Sequence, residues 1–219
     1  MRDPRDGKVY KTVMIGEQTW MAENLRYADS SKTASLRGGK SHCAKDDCES
    51  AGRFYNWAAA VDSVEVYKKK QKSCGYKVAI CTPSPQGICP SGWHLPTRGE
   101  WNKLLKAVGG TDIASKKLKS QVVWDINEYN GKSGDGDNEY GLSIFPSGYY
   151  TNLDVLDPTG HSSLSGTSTG CTSSSFWAAT DYDSKSAYGF SFINTADNAR
   201  ETHYDKSDGH AVRCVMDAE

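Results

Sequence analysis

The chain has 219 residues, with 26 Lys plus Arg against 27 Asp plus Glu. That near balance gives no electrostatic basis for gripping nucleic acid or an anionic membrane, and no run of about 18 apolar residues exists to insert into a bilayer. A chain of this length can bury roughly 70–75% of its unfolded surface without a metal or a disulfide. No internal repeat or linker divides it, so residues 1–219 read as a single domain.

In chain order, "MRDPRDGKVY" opens the sequence without the apolar h-region of a signal peptide. Val9 to Ile15 is rich in β-formers, Gly16-Glu17 makes a turn and Gln18 to Met21 returns, which predicts a hairpin. "GRFYNWAAAV" predicts a helix from Gly52 to Val61 with Phe54, Trp57, Ala58 and Val61 on one face. "YKKKQKSCGYK" reads as a basic, solvated loop. In "CPSGWHLPTRGEWNKLL", Thr97 and Glu100 have capping-box spacing. Trp101, Leu104, Leu105 and Val108 follow at i, i+3, i+4, i+7 as one buried stripe, and Gly109-Gly110 ends the helix. Pro90 and Pro96 stiffen the lead-in. Trp93 and Trp101 are core residues on this reading, and His94 is a satisfied structural histidine. After Trp124 the chain turns polar. "SSSFWAAT", "SAYGFSFIN" and "HAVRCVMD" read as strands, with no helix longer than a turn. Helices early and strands late predict an α+β, loop-rich fold.

The seven cysteines are Cys43, Cys48, Cys74, Cys81, Cys89, Cys171 and Cys214. No CxxC or HxxxH spacing supports zinc. Disulfides fit better, and they imply an oxidising compartment outside the cytoplasm. The short spans Cys43–Cys48 and Cys74–Cys81 are easy to close, and an odd count leaves one thiol over.

"SGDGDNEYG" is the candidate metal stretch. Asp135, Asp137, Asn138 and Glu139 place oxygens close together, as calcium prefers, although the EF-hand spacing is absent. The competing reading is a turn that caps its own backbone. "GTSTGCTSSS" holds Cys171, but no base is brought beside it; His161 and His203 stand elsewhere in the sequence. G-x-S-x-G, GxGxxG, the P-loop and HExxH are all missing, so no catalytic constellation can be assigned. Aromatic, amide and charged residues concentrate late in the chain. Tyr149, Tyr150, Tyr182, Asp183, Tyr188, Asn194, Asn198, Arg200, His203 and Tyr204 are the candidate ligand-binding residues, because such side chains make effective binding surfaces. Trp177, Phe190 and Phe192 are expected to face inward.

Several segments together resemble the Fibrobacter succinogenes major paralogous domain, a bacterial surface family. They are "DGKVYKTVMIGEQTWMAENLRY", "GRFYNWAAAV", "CPSGWHLPTRGEWNKLLKAVGG", "KKLKS", "DNEYGLSIFPSGYY", "FWAAT" and "AVRCV", in the family's order over nearly the whole chain. That family resembles the C-type lectin-like fold in its sulfatase-modifying-factor branch; "HLPTRGEW" and "AVRCV" are similar to segments of that branch. The resemblance implies two helices packed on twisted antiparallel sheets, with the N- and C-terminal strands paired. It further implies a Cys89–Cys214 disulfide and a Cys74–Cys81 disulfide, leaving Cys171 without an evident partner.

Formylglycine-generating members of that branch hold copper with two cysteines near the C-terminus. Here that region offers only Cys214, so their activity is not expected. The EPN and QPD motifs of calcium-dependent lectins are absent as well. The expectation is a non-catalytic extracellular or cell-surface module that adheres to a polysaccharide or a surface protein through the loop face of residues 135–210. The alternatives are an enzyme of the formylglycine-generating type, a hydrolase, or a structural surface-assembly domain.

Overall fold

The computed structural model describes residues 1–44, 48–78, 86–151 and 172–218. The predicted hairpin forms, with β1 (Thr12–Ile15) antiparallel to β2 (Gln18–Met21) around the Gly16-Glu17 turn. A 3-10 turn (Ala34–Leu36) leads to β3 (Ser41–Cys43). Helix α1 (Cys48–Ala51) follows, then β4 (Arg53–Tyr55), α2 (Trp57–Ala60) and α3 (Ser63–Lys70). Strand β5 (Trp93–His94) precedes α4 (Arg98–Ala107) and α5 (Thr111–Leu118). The C-terminal part supplies β6 (Ser173–Asp181), β7 (Ser186–Ile193), β8 (Arg200–Asp205), β9 (His210–Ala211) and β10 (Val215–Met216).

Two sheets result, in the orders β1-β2-β10-β5 and β3-β4-β9-β6-β7-β8. The N- and C-terminal strands pair, Val215 opposite Trp20. In the larger sheet, β6 is buried along most of its length. Its side chains alternate between two cores, as a strand's period of two requires. Trp177 and Ala179 enter one core, with Tyr55, Trp57, Leu95 and Val212. Phe176 and Ala178 enter the other, with Trp101, Leu104, Phe190 and Phe192. Trp101 on α4 stacks on Phe190 at 5.1 Å and 22°, fixing the helix across that face. Trp177, Phe190 and Phe192 are fully buried, as expected.

The α4 signals hold. Thr97 Oγ1 accepts from the Glu100 backbone N–H at 3.2 Å, and Glu100 accepts from the Thr97 N–H at 2.8 Å. The Trp101, Leu104, Leu105 and Val108 stripe is buried.

Other expectations are corrected. The helix predicted from Gly52 to Val61 is a strand followed by one helical turn. Asn56 divides them: its extended backbone ends β4, and its side chain accepts from Ala59 N–H to start α2. "YKKKQKSCGYK" begins inside α3, whose last turn carries Lys68, Lys69 and Lys70. These cations complement the helix dipole there. Helix α5 and strand β8 were not anticipated, and the helices exceed the two implied by resemblance.

Two disulfides join pairs of described residues. Cys43–Cys48 has its Cα atoms 4.8 Å apart, and Cys89–Cys214 has them 5.9 Å apart. Cys74 is also disulfide-bonded; Cys81 and Cys171 lie outside the described residues. No helix among the described residues is long and apolar enough to cross a membrane.

Candidate functional site

Alternation along β7 and β8 decides what the late aromatic residues can do. Tyr188 pairs with His203 and Phe190 with Glu201 in the β7–β8 ladder, so these four side chains share one face. Toward Phe190 that face is covered by α4. Beyond the N-terminus of α4 it opens to solvent, and there the rings gather. Tyr182 and His203 stack at 4.0 Å with 1° between their planes. Tyr188 meets Tyr182 edge-on at 5.4 Å and 88°. Tyr182 is 45% exposed, His203 is exposed and Tyr188 is half-buried.

A polar rim borders the rings. The Arg98 guanidinium lies 4.5 Å over the Tyr188 ring. Its Nε donates to Glu201 Oε1 at 2.9 Å, and Asn102 Nδ2 donates to Glu201 Oε2 at 2.9 Å. Burial would raise the Glu201 pKa, but the hydrogen bonds from Arg98 and Asn102 outweigh it and hold the carboxylate below its ordinary value. The turn bearing Tyr182 is fixed from beneath. Lys206 pairs with Asp181, donates to the Asp183 carbonyl at 2.7 Å and lies 4.6 Å over the Trp57 ring. Asp183 is part of this scaffolding: its Oδ1 accepts from the backbone of Lys185 and Ser186, bonds that lower its pKa.

Of the ten candidate residues, Tyr182, Tyr188 and His203 therefore converge. Tyr204, one residue on, points to the opposite face and is half-buried against Trp177 and His210. Burial pushes its pKa up to about 12. Gly189 makes room for it, since a Cβ there would lie 2.6 Å from the Tyr204 ring. Tyr149 stacks on His210 at 5.8 Å on that same side. Tyr150 packs on Phe54 and His42 and bridges to Gly209. Asn194 clamps the preceding loop by donating to the Asp125 and Ile126 carbonyls. Asn198 is half-buried ahead of β8, and Arg200 is exposed at its start.

The residues that sequence reasoning missed are Arg98, Asn102 and Glu201, and separately Ser175 and His210. Arg98 and Asn102 stand at i, i+4 on α4, and Arg98 precedes Trp101 by three. That spacing continues the helix stripe to the sheet and was the available signal. Ser175 Oγ lies 2.5 Å from His210 Nδ1. Both residues are buried, and burial lowers the His210 pKa to about 3. Screened from solvent between Trp177 and Tyr204, the pair reads as a polar link between β6 and β9.

The oxygens of "SGDGDNEYG" have separate tasks. Asp135 accepts from the Trp124 N–H and the Ser133 hydroxyl. Asp137 pairs with Lys116 at 3.2 Å and Glu139 with Lys117 at 3.3 Å. Asn138 bonds Ser143. Gly136 lets this stretch dock on α5, because a Cβ would meet the Lys119 carbonyl at 2.4 Å. These side chains do not make one coordination shell. Among the described residues no group of three or more His, Cys, Asp or Glu side chains could hold a metal ion.

A cleft of about 830 Å³ lies between the β1–β2 turn, α4 and β10. Glu17, Lys103, Lys106 and Asp217 line it, with His94 and Glu100. It has charges of both signs and no Tyr or Trp.

An α+β chain with two sheets, disulfides and an exposed aromatic cluster is thus on hand. The model of the Fibrobacter succinogenes major domain matches residues 13–216, and the chain belongs to that family. No curated protein and no solved structure matches the chain.

Proposed function

We propose that the chain is a non-catalytic extracellular module that adheres to polysaccharide through the Tyr182, Tyr188 and His203 cluster. The observation that carries this reading is the convergence of three exposed or half-exposed rings beside the Arg98–Glu201–Asn102 rim. Aromatic rings offer apolar area to the C–H face of a sugar, and the rim offers donors and acceptors to its hydroxyls. The rings are already held in place, so binding costs little ordering entropy. Disulfides suit an extracellular setting. The pairing of β2 with β10 and the Cys89–Cys214 link support the C-type lectin-like comparison made from the sequence. Cys214 has its sulfur committed to a disulfide and so is not a free copper ligand, which speaks against the formylglycine-generating alternative.

The test is binding of the purified chain to plant and microbial polysaccharides, with calcium and again with EDTA. Binding that ignores EDTA is expected. Tyr182→Ala and His203→Ala should each weaken it about tenfold or more, as loss of a ring at the centre of an interface costs about 2 kcal/mol. Their melting temperatures should stay close to the parent's. Binding that survives both substitutions, or no binding to any polysaccharide, overturns the proposal.

A further inference from the structure

The Cys43–Cys48 disulfide faces a guanidinium that has no carboxylate partner among the described residues. Arg53 stands directly opposite Cys43 in the β3–β4 ladder. Its Nη1 lies 3.3 Å from Cys43 Sγ and 3.2 Å from Cys48 Sγ. Its Nη2 donates to the Ser41 carbonyl and hydroxyl, and its Nε is buried without a hydrogen-bond partner. A partly buried cation is thus aimed at two neutral sulfurs. Those sulfurs are the atoms that become negative when the disulfide is reduced. Both cysteines are half-exposed, whereas Cys89 and Cys214 are fully buried.

We propose that Cys43–Cys48 is a thiol–disulfide exchange site that reacts stoichiometrically with an accessible dithiol, with Arg53 holding the departing thiolate. In the forward direction, a thiolate of the dithiol attacks one of the two sulfurs. A mixed disulfide forms as the Cys43–Cys48 bond breaks, and the displaced cysteine leaves as a thiolate beside Nη1. The second thiol of the dithiol, deprotonated, then attacks the mixed disulfide. The dithiol departs oxidised, and Cys43 and Cys48 remain with the two electrons, one thiol and one thiolate or both as thiols. A lower leaving-thiol pKa speeds the first step, and a stabilised reduced form makes the disulfide more oxidising. Among the described residues the cation gains a counter-ion only in the reduced state, so both effects have one cause.

The experiment uses the intact chain and dithiothreitol as the probe, with timed quenching by iodoacetamide and peptide mapping by mass. Cys43–Cys48 should open at least tenfold faster than Cys89–Cys214. After reduction, alkylation of the exposed pair should follow a thiolate pKa below the ordinary value of about 8.5. Arg53→Gln should slow opening about tenfold and shift the equilibrium about tenfold toward the disulfide, which is about 30 mV more negative. Arg53→Lys, which keeps the charge, should recover part of both and controls for a fold disturbed at this position. Opening rate and equilibrium unchanged in Arg53→Gln, or Cys89–Cys214 opening first, overturns the proposal.

Discussion

His94 ties three elements through one ring. Its Nε2 donates to Glu100 Oε1 at 2.7 Å and its Nδ1 to Asp217 Oδ1 at 2.6 Å, joining β5 to the start of α4 and to the residue after β10. The hydrogen bond to Glu100 is the main reason its pKa is raised above 6.5, with burial opposing and Asp217 adding to it. For Glu100, burial raises the pKa, but the bonds from His94 and Thr97 outweigh it and bring the value down to about 2. The signs set a window. The histidine's contribution is complete below the unfolded value of 6.5 and is lost as pH rises through the higher folded value. The glutamate's is complete above its ordinary 4.5 and is lost as pH falls toward 2. The latch is therefore strongest between about pH 4.5 and 6.5. Urea midpoints measured from pH 5.5 to 9 should fall for the parent relative to His94→Gln, closing a gap of about 1–2 kcal/mol. Parallel curves for the two proteins would show that the imidazolium does not carry the link.

At the scale of elements, Asn56 separates what the sequence suggests from what folds. Its side chain caps α2, and it is nearly fully buried. Asn56→Ala should lower stability by about 1–2 kcal/mol in urea unfolding, the usual cost of losing such a cap; an unchanged midpoint would mean the strand-to-helix junction is held elsewhere. This junction was invisible because helical spacing in "GRFYNWAAAV" is local, whereas β4 exists through pairing with β9, Phe54 against Ala211. Strand β8 was hidden for a related reason. "RETHYD" is polar, and it is a strand because β7 offers a complete antiparallel partner. Helix α4 was legible because its cap and stripe are both local signals. The candidate site divides in the same way. The ring types in Tyr182, Tyr188 and His203 were legible. Their separation from Tyr204 depends on β-strand alternation in a register that only the folded sheet fixes. The rim was missed because Arg98 and Glu201 meet across a sequence gap of 103 residues.

For the whole molecule, the two mapped disulfides have unequal weight. Cys89–Cys214 spans 125 positions and joins the approach to β5 with the approach to β10. Both sulfur-bearing residues lie in the core that contains Trp57, Leu95 and Trp177. Cys43–Cys48 spans 5 positions and ties β3 to α1 at the surface. Closing a long loop removes more freedom from the unfolded chain than closing a short one. The loop-closure relation gives about 5 kcal/mol for the first link and about 2 kcal/mol for the second. Replacing both cysteines of the long link with Ala also leaves unfilled space in a close-packed core. Guanidinium unfolding of the two double-Ala variants should therefore rank them clearly, with loss of Cys89–Cys214 costing at least about 2 kcal/mol more than loss of Cys43–Cys48. Equal losses would mean that the unfolded chain already holds the segments around Cys89 and Cys214 together. A larger loss at Cys43–Cys48 would mean that the β3–α1 corner, where Arg53 also sits, organises more of the six-stranded sheet than its position at the edge suggests.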